Sequence, residues 1–168
     1  VNVKNITGNW DAGVVLDKHT IRSVPIGHDQ YGHMQFDTTR TQVGEALFQL
    51  KNRGDWNQVE PLAQELATSA FPCFRDVGII VPVPASVTRA KQPVFEIATA
   101  LAKKTGLTSF EDIVRKAPAV KGAPQLKNLN TKAAKAAALA GRISINDEID
   151  QDGKWNVLVV DDLFDSGA

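Results

Sequence analysis

The stretch that most constrains this chain is Val157-Leu-Val-Val-Asp-Asp-Leu-Phe-Asp-Ser-Gly-Ala168. Four aliphatic residues in unbroken succession, rather than alternating with polar ones, predict a strand buried on both faces, as inside a parallel sheet. The run ends in two adjacent carboxylates, Asp161 and Asp162, and then in a small-residue turn with Ser166 and Gly167. Open α/β sheets hold ligands at the carboxyl ends of their strands. Backbone N–H groups of such a turn ring an anion. The paired acids accept hydrogen bonds from a diol or hold a divalent cation. The same features also describe a core strand whose exit turn is merely acidic.

A second apolar run, Val77-Gly-Ile-Ile-Val-Pro-Val-Pro84, predicts another buried strand, with Pro82 and Pro84 marking its exit. Ala85 and Ser86 make a small-residue loop, followed by the cations Arg89 and Lys91. Pro93 then opens a helix with Val94, Ile97, Ala98 and Leu101 on one face, closed by Gly106. Strand, loop and helix form half of a βαβ unit with cations where a phosphate would approach. A plain strand-to-helix turn with solvated cations fits the same residues.

Upstream, Gly13–Leu16 and Thr20–Val24 are short strand candidates, with Asp17-Lys18-His19 as a hairpin turn between them. His28 and His33 lack a third ligand, which argues against a metal site, and Tyr31 and His33 are expected on an exposed loop. Thr39-Arg-Thr-Gln42 resembles a capping box ahead of a helix with Val43, Ala46, Leu47 and Leu50 on its inner face. Asn57 is expected to cap a second helix carrying Val59, Leu62, Ala63 and Leu66. Residues 110–115 are ambiguous between helix and strand. Lys116 to Gln125, rich in Pro and small residues, predicts a long loop of the kind that serves as a lid. Thr131 caps an Ala-rich helix from Lys132 to Ala140, stopped by Gly141, and Arg142–Asn146 alternates like a half-exposed strand.

The 168 residues suffice for one ordinary domain, 1–40 being a strand and loop region and 41–168 the core. Net charge is zero, which disfavours nucleic acid and anionic membrane as partners. Its distribution is uneven: Ile113 to Asn146 holds seven Lys or Arg and no acid, whereas Asp147 to Ala168 holds seven acids and one Lys. The two segments suit opposite sides of a metal-bound polyanion, or two solvated faces. The acid-free segment keeps a local nucleic-acid patch open. The lone Cys73 excludes a disulfide framework and points to a reducing cytoplasm. No apolar stretch is long enough for a membrane span and no secretory pattern opens the chain. A chain that begins without Met and stops inside a motif reads as a piece of a longer product.

With both strand ends in view, the chain resembles the type I phosphoribosyltransferases. Val157–Ala168 is similar to that superfamily's phosphoribosyl-pyrophosphate motif. Val81-Pro-Val-Pro84 with Arg89, Lys91 and Gln92 resembles the first block of its ComF-like, competence-related branch. Pro124-Gln125-Leu126 before the Ala-rich helix, and the helix Val43–Lys51, resemble further blocks of that branch. The likeness covers about residues 40–168; the branch's four-cysteine ribbon is absent, and its Arg-Gly-aromatic-Asn-Gln signature is reduced to Ala90-Lys-Gln-Pro93.

The resemblance implies an α/β fold of type I phosphoribosyltransferase class, a parallel twisted sheet flanked by helices with a small N-terminal subregion. It implies transfer of ribose 5-phosphate from phosphoribosyl pyrophosphate to a nitrogen acceptor, a nucleobase or amine, with Mg²⁺ as cofactor. Asp161 and Asp162 would hold the ribose hydroxyls directly or through Mg²⁺. Phe164, Asp165, Ser166, Gly167 and Ala168 would cradle the 5-phosphate, and Asp165 would take the acceptor's proton. Ala85, Ser86 and Arg89 would bind pyrophosphate, under a lid carrying Lys121, Gln125 and Lys127. The alternative within this fold is a non-catalytic, phosphoribosyl-pyrophosphate-binding regulator or DNA-uptake protein. The acceptor and any oligomeric state are not legible.

Overall fold

A computed structural model describes residues 1–85, 89–118, 128–146 and 153–164. Among them the protein is mixed α/β, with a parallel three-stranded sheet and flanking helices. It divides into two compact units, Val1–Arg75 and Asp76–Ala168. The first unit therefore contains both the N-terminal strands and the helical segment beyond residue 40.

In the first unit β1 (Lys4–Asn5) pairs antiparallel with β2 (Val14–Val15), and β3 (Thr20–His28) with β4 (Met34–Arg40). The expected hairpin between 13–16 and 20–24 does not form. Asp17 instead turns its carboxylate back on the Asn2 and Lys18 N–H groups, and each of the two strands takes a different partner. Thr41, not Thr39, caps α1 (Gln42–Phe48): its hydroxyl accepts from the Gly44 N–H at 3.0 Å and donates to the Lys18 carbonyl at 2.5 Å. One wider turn extends α1 to Arg53, and Gly54 ends it at φ +68°, as a left-handed cap requires. Asp55, rather than Asn57, caps the turn that leads into α2 (Val59–Glu65). Leu47, Leu50, Val59, Leu62 and Ala63 are buried, which follows the expected apolar faces.

In the second unit β5 (Ile79–Pro82) is the central strand, buried at all four positions. β6 (Thr108–Ser109) flanks it on one side and β9 (Val157–Val160) on the other, both parallel. Pro82 lies inside β5, not past its end; β6 pairs only as far as Ile80, so the missing donor falls where that neighbour has stopped. α3 (Pro93–Thr105) has Pro at its first turn, Lys103 and Lys104 in its last, and Gly106 at φ +72° beyond it, all placed to suit the helix dipole and termini. Its Val94, Ile97, Ala98 and Leu101 are buried, and it packs on β5 and β6.

One expectation fails here. β9 is not buried on both faces: Val157 and Val159 are 47% and 58% exposed, and only Val160 is buried. Alternate residues face opposite sides of a sheet, and β9 is an edge strand with one bare face among the described residues. Of the ambiguous segment 110–115 only Val114 and Arg115 form strand: β7 (Val114–Lys116) pairs antiparallel with β8 (Ile143–Ile145), and residues 110–113 are neither helix nor strand. Between them α4 (Lys132–Leu139) carries the expected cap, Thr131 accepting from the Ala134 N–H at 3.1 Å. β8 is exposed at all three positions instead of half-exposed. No helix among the described residues is long and apolar enough to cross a membrane.

Candidate functional site

Parallel pairing brings the two strand ends that carry the sequence motifs to the same edge of the sheet. Pro82 pairs with Val160, and the Val83 N–H donates to the Val160 carbonyl at 2.9 Å. The next residues of each strand are Val83-Pro84-Ala85 on one side and Asp161-Asp162 on the other. The alignment begins lower down, where the Gly78 N–H meets the Asn156 carbonyl at 2.9 Å and a Cβ on Gly78 would come within 3.1 Å of the Trp155 ring. The small residue thus lets the indole lie against the strand's start.

Asp161 is exposed, Asp162 half-buried, and the Asp161 carboxylate accepts the Asp162 N–H at 2.8 Å. Ala85 is half-buried; Arg89 and Phe164 are exposed. Ser86, Lys121, Gln125, Lys127, Asp165, Ser166, Gly167 and Ala168 lie outside the described residues. No group of three or more His, Cys, Asp or Glu among the described residues forms a metal cluster. The adjacent Asp161 and Asp162 offer hard oxygen donors, which suits Mg²⁺, an ion that keeps waters and shares substrate oxygens.

Beside the strand ends lies a cleft of about 220 Å³. Pro82, Val83 and Pro84 line it from the exit of β5, and Val159 from β9. Val114 and Lys116 of β7, Leu139 of α4 and Ile143 of β8 complete it. Lys116 is the only charged residue among the described lining residues. Burial holds its ammonium below the usual lysine range, the Arg142 guanidinium acts in the same direction, and the Asp161 carboxylate opposes both. Asp161 is therefore within electrostatic reach of Lys116. Arg142 is itself anchored, donating to the Ala117 carbonyl at 2.9 Å and to the Ala138 carbonyl at 3.3 Å.

Sequence reasoning did not single out Lys116 or Arg142, although both fall in the acid-free segment 113–146. Their signal was that absence of acids; their position depends on β7 pairing with β8 across residues 117–142. At the other end of the chain, Tyr31 and His33 are exposed as expected. His33 meets the Asp29 carboxylate at 3.4 Å. Compared with known proteins, the chain matches no family model, no curated protein and no solved structure.

Proposed function

We propose that the protein has the type I phosphoribosyltransferase fold and transfers ribose 5-phosphate from phosphoribosyl pyrophosphate to a nitrogen acceptor. One observation carries this reading: the acidic exit of β9 and the Pro-Ala exit of β5 leave adjacent parallel strands at the same edge. A ligand spanning that edge has carboxylates for its diol on one side and a small-residue loop for an anion on the other.

In this reading Asp161 and Asp162 hold the ribose 2- and 3-hydroxyls and the Mg²⁺. The ion, when bound, offsets the charge of the departing pyrophosphate. The acceptor nitrogen forms its bond to C1 as the C1–O bond to pyrophosphate breaks, the electron pair leaving with pyrophosphate. Any proton released from that nitrogen passes to Asp165. Ala85, Ser86 and Arg89 receive the pyrophosphate, and Phe164 to Ala168 the 5-phosphate, through backbone N–H groups. Lys121, Gln125 and Lys127 belong to a lid that keeps water from the reactive sugar carbon. The lone Cys73 suits a reducing cytoplasm.

Calorimetry with phosphoribosyl pyrophosphate tests this. Binding is expected with Mg²⁺ and not without it. Asp161→Asn with Asp162→Asn removes charge-assisted hydrogen bonds worth about 3 kcal/mol or more together, roughly a hundredfold in Kd. Unchanged binding by the double variant overturns the assignment. A screen of nucleobases and amines for pyrophosphate release then separates a transferase from a protein that binds the sugar phosphate without turning it over.

A further inference from the structure

The cleft beside the strand ends has a composition that specifies its ligand more narrowly than the motifs do. Seven of its eight described lining residues are aliphatic or Pro, and the eighth is Lys116. Walls of this kind recognise a ring by area and shape, while a single cation fixes its orientation through an anionic substituent. Size narrows the class. An apolar cavity of roughly 150 Å³ accepts benzene, so about 220 Å³ holds one ring with a small substituent.

Charge narrows it further. Arg142, from the turn between α4 and β8, and Asp161, from the end of β9, both bear on Lys116. Lys116 is the charged group among the cleft's described lining residues, and an anionic substituent is what an ammonium at one end of an apolar cleft selects. The walls come from four separate elements: the exit of β5, β9, the β7–β8 hairpin and α4. An occupant therefore bridges the sheet edge and the hairpin.

We propose that this cleft is a binding site for a single-ring carboxylic acid, held by its ring against Val159, Ile143 and Pro84 and by its carboxylate on Lys116. Calling that ring the acceptor of the phosphoribosyl group rests on the function proposed above; the existence of the site does not.

Benzoate and its uncharged isostere benzamide are the probes, read by NMR shifts of the β7–β8 and Leu139 amides in the intact protein. Saturable benzoate binding at least about tenfold tighter than benzamide is expected, a difference of about 1.4 kcal/mol. Lys116→Met brings benzoate down to the benzamide level. Val159→Trp, a change at an exposed edge position, fills the cleft and removes binding of both. Benzoate bound equally by wild type and Val159→Trp, or no saturable shift at all, overturns the site. Equal affinity for the two probes overturns the charged class. Phosphoribosyl pyrophosphate calorimetry on the same samples separates the two ideas: benzoate without sugar-phosphate binding retains the cleft and removes the acceptor role.

Discussion

The two longer antiparallel pairings of this chain are built in opposite ways. β3 and β4 are joined by residues 29–33, and the turn supplies its own bonds: the Asp29 carboxylate accepts from the Tyr31 and His33 N–H groups, each at 2.9 Å, and from the Gln35 amide at 3.1 Å. β7 and β8 pair over only three positions, and residues 117–142 lie between them. A turn that satisfies itself fixes register locally. Three pairs closing a long excursion face a larger closure entropy and gain less from their ladder. The second hairpin must therefore take more of its order from its surroundings, and it contributes Val114, Lys116 and Ile143 to the walls of the cleft.

The largest expected effect tests whether the first hairpin is independent of its surroundings. A Cβ on Gly44 would run into the backbone carbonyl of His19, immediately before β3. Backbone cannot step aside as a flexible side chain can, so Gly44→Ala is expected to cost about 2–3 kcal/mol. Residue-resolved hydrogen exchange should show protection lost at Thr20 to Ser23 and Thr38 to Arg40 but kept at the Asp29 turn. Loss extending to the turn would show that the hairpin's order is borrowed from α1.

A smaller effect tests the second hairpin. Arg142 ties the two ends of the excursion together, its guanidinium donating to the Ala117 carbonyl while its own carbonyl accepts the Ala117 N–H at 2.8 Å. Arg142→Met keeps the backbone bond and removes the guanidinium's bonds to the Ala117 and Ala138 carbonyls. For a half-buried charged donor this costs about 1 kcal/mol, or roughly fivefold faster exchange at the β7 and β8 amides. Unchanged exchange there would mean that the ladder and the cleft suffice without the clamp.

The same contrast explains what was legible in the sequence. Features that a few neighbouring residues decide were readable: the apolar runs at 79–82 and 157–160, the Thr131 cap, the helix stop at Gly106, the inner faces of α1, α2 and α3. Features that depend on a distant partner were not. Two-residue strands such as Lys4–Asn5 have no period to detect, so the partner of Val14–Val15 was misassigned. The burial of Val157 and Val159 depends on how many strands and helices surround β9, which an apolar run does not encode. The acidic pair was legible as a strand exit, and its neighbour Val83–Ala85 as another. Their adjacency follows from the β5–β9 register, and the cleft from a hairpin that closes across residues 117–142.

The smallest effect is a pH dependence confined to the first hairpin. Asp29 lies below the usual carboxylate value of 3.8, chiefly because the His33 N–H donates to it, with Tyr31 and Gln35 adding to the same direction against a partial desolvation. A carboxyl group whose folded value is lowered favours the folded hairpin whenever it is ionised. Its contribution is therefore complete above the unfolded value near 3.8 and is lost as pH falls through the lowered folded value. Across that acidic window the Tyr31 and His33 amides should exchange faster and shift together in NMR spectra, while the β7 and β8 amides keep their relative protection. Asp29→Asn retains an acceptor oxygen but does not ionise, so it should flatten the dependence without abolishing the turn. Amides in both hairpins titrating together would mean that the two pairings share one cooperative transition, and the difference in how they are closed would have no consequence for how they open.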